Sequence, residues 1–385
     1  MTKIKQVGII GFGMIGKVHA YGYVTLPYYL QPMPFPVRLT HIATAHADTA
    51  EHAKTITGAD VATTDFREIT ENPNIDIVHI CTPNDKHLEP LLSAMRNNKH
   101  IYCDKPLVAG IDEAEQVREA MGEYNGVSQM TFHLRFFPAV QRAKQLIDTG
   151  KLGRILQFRM GYYHASNAGA EFPYKWKHSA SGGVIRDLGS HVLDMADHLV
   201  GHIDRLIADT TIAYPRRCDL QSGELREITA EDAFSILVRL KSGAMGTLEG
   251  TKLATGTEDD FRFEIYGELG AVRFSLENAD ILDFFDATKD DKPFGGESGW
   301  LQIACNNRFE APDTNFPSKK STIGWSRAHT ACLAHFIQSI ADVEQQSKPQ
   351  HADLMQGYKI ERLMQTVFDS ARKQTWHRNI QSYRY

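Results

Sequence analysis

Asp187 and His191 stand four apart in the second half of the chain and could together move a proton. On a helix, positions i and i+4 share one face, so a carboxylate and an imidazole at this spacing are neighbours. Imidazole, with an ordinary pKa of about 6.5, exchanges its proton near neutral pH, and a nearby carboxylate orients the ring and favours its cation. Lys105 ends the apolar run HIYCD. An ammonium there could hold a substrate oxygen and stabilise developing negative charge. Taken singly, these residues have bland readings, an ordinary helix-surface pair and a solvated lysine. His191, Asp194 and His198 form a helical stripe that could hold a metal. Spacing supplies no fourth ligand, so no metal site is expected.

Gly11, Gly13 and Gly16 form GFGMIG, directly after the apolar run Ile4 to Ile10 and opening a helical stretch from about Ile15. That context points to dinucleotide binding. The first glycine allows a tight turn, the second lets a pyrophosphate approach the backbone, and the third lets helix pack on strand. The exposed N–H groups and positive helix end then hold phosphates. A carboxylate that reads the adenosine ribose is expected at the end of strand two. That end reads Thr44, Ala45, His46, with Asp48 two further on. No basic residue follows to attract a 2′-phosphate, so NAD and NADP both stay open.

The elements that must position these residues fall into two regimes. Residues 1–127 alternate strand and helix: strands at Val37 to Ala45, Ile75 to Pro83 and HIYCD, helices through Thr49–Ile56, DKHLEPLLSAMRNN and DEAEQVREAMGEY. Such alternation implies right-handed crossovers and a doubly wound parallel sheet, an α/β Rossmann domain. Leu26 to Pro36, with four prolines, reads as a loop or lid-like insertion. In residues 128–385, FFPAVQRAKQLIDTG and Gly183 to Val200 read as helices. Strands follow in succession: ILQFRMGYYH, RLIADTTIAY, AFSILVRL, AMGTLEGTKL, FRFEIYG and AVRFSL. The expected result is an α+β domain with a large, mainly antiparallel open sheet. Helices near Ala328 to Val343 and Leu354 to Arg372 close the chain, the last one packing back on the first domain.

The 385 residues are 42% hydrophobic and 23% charged, enough for two domains with real cores. A net charge of −5 without a basic run argues against nucleic acid or an anionic membrane as partner. Five cysteines at 81, 103, 218, 305 and 332 show no CxxC spacing, so neither a zinc site nor a disulfide framework is expected. No signal core and no membrane-length apolar run is present, so a cytoplasmic protein is expected.

TPNDKH (Thr82 to His87), HIYCDKPL and SGGVIRDLGSHVLD (Ser181 to Asp194), with the glycine turn and in this order, resemble the Gfo/Idh/MocA family of oxidoreductases. The resemblance runs from Val7 to about Arg372. The family's Glu-Lys-Pro is here Asp104-Lys105-Pro106, its acid one methylene shorter, and its first turn glycine is here Ser181. By this resemblance Lys105, Asp187 and His191 are the catalytic residues. It implies a cofactor site of Gly11, Phe12, Gly13, Met14, Ile15, His46, Cys81, Thr82, Pro83, Asn84, His87, Asp104 and Lys105. The substrate side is Lys105, His133, Trp176, Asp187 and His191. Asp194 reads as structural. Trp176 and Lys177 fall where the family often shows Trp-Arg. Oxidation of a hydroxyl needs a hydride acceptor and a base for the proton, which suits His191 as base and Lys105 as polariser, or the reverse. The implied activity is NAD(P)-dependent oxidation of a sugar, inositol or related polyol to a ketone or lactone, in a homodimer or homotetramer. A redox-assisted glycoside hydrolase or lyase, and a non-catalytic sugar- or nucleotide-sensing regulator, are the alternatives on the same scaffold.

Overall fold

β1 (Lys5–Ile10) is a short run whose Val7, Ile9 and Ile10 are buried, because parallel strands flank it on both sides. The computed structural model describes residues 3–179, 181–308, 314, 316–344 and 352–379. The first compact unit comprises Met1–Phe136 and Phe309–Glu361. It contains β1, β2 (Val37–Ala43), β3 (Val61–Thr63), β4 (Ile77–Ile80), β5 (His100–Cys103) and β6 (Ser128–Met130), in the parallel order β3-β2-β1-β4-β5-β6. The helices are α1 (Met14–Tyr29), α2 (Ala47–Thr57), α3 (Arg67–Thr70), α4 (Leu88–Arg96) and α5 (Ile111–Ala120). This is the doubly wound arrangement read from the alternating pattern. Strand order reverses between β1 and β4, and ligands bind open sheets of this kind beyond the carboxyl ends of such strands.

The proline-rich stretch differs from expectation. Leu26 to Pro36 is not a loop throughout: α1 continues through Pro27 to Tyr29. Burial overrides the lost backbone donor. Leu26 and Leu30 lie in one core cluster with Phe336, Ile337 and Ile340 of the long helix α8 (Trp325–Glu344). The two helices approach closely at Gly22, where a Cβ would come within 2.9 Å of Leu333 Cδ2. Strands two and four are shorter than their apolar runs, ending at Ala43 and Ile80.

The second unit comprises Phe137–Arg308 and Arg362–Tyr385. The helix α6 (Pro138–Asp148) leads into β7 (Ile155–Tyr163), and a π-helical turn, Ile185–Gly189, runs into α7 (Ser190–Leu199). Then come β8 (Ile203–Thr211), β9 (Arg216–Cys218), β10 (Leu225–Glu227), β11 (Ala233–Leu240), β12 (Met245–Thr251), β13 (Asp260–Gly267), β14 (Gly270–Ser275), β15 (Ile281–Asp286) and β16 (Trp300–Ala304). The final helix α9 (Leu354–Lys373) is divided at Glu361/Arg362 between the two units, and β17 (His377–Arg378) follows it.

A nine-stranded sheet runs β16-β15-β14-β13-β7-β12-β11-β8-β17, and β9 with β10 forms a separate ribbon. Pairing in the large sheet is antiparallel except between β7 and β12. Alternation along β7 and β11 buries Phe158, Met160, Tyr162, Phe234, Ile236 and Val238, while Arg159 points out. Among the described residues no helix is long and apolar enough to cross a membrane.

Candidate active site

Each glycine of the first turn has a different physical reason. Gly11 has φ +90°, and a Cβ there would lie 2.7 Å from the carbonyl carbon and oxygen of Cys81. Gly16 is in the helix, and its Cβ would meet the Gly11 carbonyl oxygen at 2.2 Å. Gly13 is extended, with φ −71°, and a Cβ there would meet nothing within 4 Å. The fold itself therefore does not require glycine at 13, and the open space there fits close approach of a phosphate. Gly13 caps α1 without a side chain, and no acid stands in the first turn, so the helix end keeps its positive character.

At the end of β4, the Thr82 hydroxyl is buried without a hydrogen-bond partner among the described residues. An unsatisfied hydroxyl beside an open glycine turn fits a dinucleotide. Phe12 and Ile15 pack half-buried on the core, whereas Met14 is exposed. Pro83 caps the short turn Asn84–Lys86, and Asn84 is buried. His87 is buried, with Nε2 2.9 Å from the Thr82 carbonyl and Nδ1 3.1 Å from the Leu107 carbonyl. It thus joins the β4 and β5 loops. At the end of β2 the Thr44 hydroxyl donates to the His46 carbonyl (2.9 Å) and contacts the Thr49 hydroxyl (2.6 Å). His46 is exposed at the start of α2.

Asp104 and Lys105 follow β5 at the carboxyl edge of the same sheet. The Thr131 hydroxyl donates to Asp104 Oδ1 at 2.6 Å, which gives the shortened acid its contact. Lys105 is half-buried, and its charge adds to burial in holding the His329 imidazole well below its ordinary pKa. His133 is buried and stacks on His329, ring centroids 3.9 Å apart, with Trp325 edge-on at 5.3 Å.

In the second unit the turn before the π-helix is built around two glycines. Gly183 has φ +91°, and a Cβ on Gly182 would lie 2.2 Å from the Lys177 carbonyl oxygen. The half-buried Glu231 caps the turn: Oε1 accepts from the Ile185 N–H at 2.8 Å, and its carbonyl from the Val184 N–H at 3.0 Å. Burial raises the pKa of this carboxyl, and the amide bonds oppose the rise. Asp187 then receives two ammonium groups on one oxygen, Lys177 and Lys252 each at 2.9 Å from Oδ2. Lys252 is nearly inaccessible, its side chain 5% exposed.

His191 lies one turn on, buried, with Tyr162 edge-on at 5.8 Å. Burial first, and then Asp259, raises the Tyr162 pKa well above its usual range. Trp176 is exposed, with the Lys177 ammonium 5.8 Å from its ring. Asp194 is buried within α7. Asp187, His191 and Lys177 are thus gathered on one turn-and-helix segment. Lys252 and Glu231 escaped sequence reasoning. Their only signal was charge at the borders of alternating strands, Lys252 just after β12 and Glu231 just before β11.

Two histidines, the half-buried His100 and the buried His178, set an acid limit on the fold. His100 Nδ1 accepts from the Val127 N–H at 3.1 Å, and His178 Nδ1 from the Lys175 N–H at 2.9 Å. Burial lowers both pKa values to about 4. The unfolded rings titrate near 6.5, so below that the unfolded chain binds more protons. Stability is therefore full above pH 6.5 and lost as pH falls towards 4. His100 alone accounts for about 3 kcal/mol across that window. Urea midpoints at pH 7 and pH 4.5 should show the loss, and His100→Asn should flatten it. A midpoint independent of pH would contradict this.

Residues 5–132 match the profile described as "Oxidoreductase family, NAD-binding Rossmann fold", and residues 140–273 that described as "GFO/IDH/MocA C-terminal domain". The chain belongs to the Gfo/Idh/MocA oxidoreductase family. It is 31% identical to levoglucosan dehydrogenase of Pseudarthrobacter phenanthrenivorans over 96% of this chain and 97% of that one. It is 25% identical to myo-inositol 2-dehydrogenase of Thermotoga maritima over 69% and 74% of the two chains. A solved levoglucosan dehydrogenase in complex with NADH and levoglucosan superposes with TM-score 0.91 at 29% identity, covering 98% of this chain and 99% of that one. This oxidoreductase accordingly has an NAD-binding Rossmann domain, and Gly11, Gly13 and Thr82 are the features of it that fit a bound dinucleotide.

Proposed function

We propose that this oxidoreductase is a sugar dehydrogenase that oxidises a ring hydroxyl of a small, uncharged cyclic sugar, anhydrosugar or inositol to a ketone, with NAD or NADP. The observation that carries this reading is end-to-end likeness to levoglucosan dehydrogenase, 31% identity over 96% of this chain. Lys105, Asp187 and His191 stand where the family resemblance expects acting groups. Residues 1–127 serve as the dinucleotide-binding domain, and residues 128–385 serve substrate binding and assembly as a homodimer or homotetramer. A cytoplasmic location fits five cysteines, none of which forms a disulfide.

The nicotinamide cofactor supplies the hydride acceptor when bound. The chain's own groups handle the proton and the charge. An imidazole nitrogen of His191 serves as acceptor of the hydroxyl proton, and the Lys105 ammonium supplies the positive charge that stabilises alkoxide character. Asp187, fixed by Lys177 and Lys252, keeps a carboxylate beside the turn that carries the base. His87 and Asp104 shape the loops around the cofactor side, and Trp176 offers an exposed aromatic face of the kind that suits a sugar ring.

The deciding experiment is an absorbance screen at about 340 nm, where the reduced nicotinamide absorbs, crossing NAD and NADP with inositols, aldoses, deoxy sugars, anhydrosugars and sugar acids. A rise with a neutral cyclic sugar that Lys105→Ala abolishes is the expected result. Product formed without accumulating reduced cofactor would replace this reading with the redox-assisted lyase.

A further inference from the structure

We propose that His19, His79 and Cys81 form a buried binding site for one soft monovalent cation, copper(I). His19 comes from α1, while His79 and Cys81 belong to β4 and the residue just past it. His19 Nδ1 lies 3.0 Å from Cys81 Sγ and 3.1 Å from His79 Nδ1, and the three donor atoms all fall within 4.8 Å of one another. Metal–nitrogen bonds of about 2.0 Å and metal–sulfur bonds of about 2.3 Å place donors roughly 3.4–3.8 Å apart around a shared ion. Two edges of the triangle must open by about half an ångström, within reach of small side-chain rotations.

Hydrogen bonds alone serve this triangle poorly. A single nitrogen, His19 Nδ1, faces both other donors, and it either donates one proton or offers one lone pair. A cation takes a lone pair from all three at once. The outer contacts suit ligation too. His79 Nε2 is held by the Tyr23 hydroxyl at 2.7 Å, which leaves Nδ1 turned to the other two donors. His19 Nε2 is buried without a hydrogen-bond partner among the described residues, and the Tyr102 ring stands edge-on at 4.9 Å.

Charge selects the ion. All three residues are buried, Cys81 within the apolar cluster that holds Tyr23, Leu26 and Tyr102, and His19 edge-on to the Tyr102 ring. One thiolate, two neutral imidazoles and a monovalent cation sum to zero, which minimises the cost of burial, whereas a divalent ion leaves a net positive charge there. Thiolate and imidazole are the donors that suit copper. Imidazole ligates through the lone pair of a neutral ring nitrogen, and cysteine ligates as the thiolate. Binding therefore releases one thiol proton to solvent, with no change of oxidation state. Spacing alone could not show the site, since His19 and His79 are 60 residues apart.

The test is an anaerobic titration of the purified full chain with copper(I) against a chromophoric chelator. Wild-type protein should take up one equivalent, with a thiolate-to-copper absorption in the near ultraviolet and a raised Tm. His79→Asn and Cys81→Ser should each weaken binding at least 100-fold, and Cys81→Ser should abolish the absorption band. Cys218→Ser, which removes the exposed thiol, should leave both unchanged. If one isosteric variant fails to fold, the other carries the comparison. Absence of stoichiometric uptake, or uptake that survives in the folded variants and is lost in Cys218→Ser, overturns the proposal.

Discussion

Lys105→Met should lower kcat for the sugar substrate by about 10³-fold, the scale of a removed charge stabiliser at a reacting oxygen, while affinity for the dinucleotide changes no more than a few-fold. The expectation follows from position. Lys105 follows β5 at the carboxyl edge of the parallel sheet, where ligands bind open sheets of this kind. His191→Ala should differ in kind. A general base works deprotonated, so oxidation rises with pH through its pKa, and the variant should lose this acidic limb of the profile while Lys105→Met keeps it. Steady-state kinetics across pH 5–9 and cofactor binding by fluorescence separate the two roles. A Lys105→Met enzyme with near-native kcat would remove Lys105 from the mechanism, and an unchanged acidic limb in His191→Ala would assign the base elsewhere.

Two alanine substitutions only two residues apart should fail in opposite ways. Gly11→Ala places a Cβ at φ +90° and 2.7 Å from the Cys81 backbone, where neither partner can move aside. It should destabilise the unliganded protein by several kcal/mol, combining left-handed strain with a backbone clash. Gly13→Ala meets no protein atom within 4 Å and keeps an ordinary φ, so the unliganded Tm should stay within a degree or two. Its cost should appear on the ligand side, as a loss of at least tenfold, about 1.4 kcal/mol, in NAD(H) affinity. Calorimetric melts and titrations of both variants decide the matter. A Gly13→Ala protein that melts early but binds cofactor normally would reverse the assignment.

Most of the first unit was legible because its signals are local. A glycine turn after an apolar strand, and strands alternating with helices, point to a doubly wound parallel sheet with little help from tertiary context. Leu26 to Pro36 misled because one proline inside a helix costs less than exposing Leu26 and Leu30, and the helix that covers them comes some 300 residues later. Asp187 and His191 were visible as an i, i+4 pair. Of the two lysines on Asp187, Lys252 was not, since it arrives from the end of a strand whose neighbours are set by sheet pairing rather than by sequence distance. Glu231 was hidden in the same way: its capping bonds reach 46 residues back along the chain. The short strands β3, β6, β9, β10, β15, β16 and β17 also passed unread, being too brief or too irregular in pattern to register.

The cradle of Asp187 ties inheritance at two positions together. Lys252 is a cation sealed from water whose charge is answered by Asp187, so any change that neutralises Asp187 strands an ammonium in the interior, a defect of about 3–5 kcal/mol. A lineage that discards oxidation and keeps the scaffold for another use therefore cannot drift at Asp187 alone; Lys252 has to change first or with it. In this family the epistasis between a strand-end lysine and a helix-start aspartate should be readable as paired retention or paired loss, and a laboratory redesign that empties the site has to edit both residues at once.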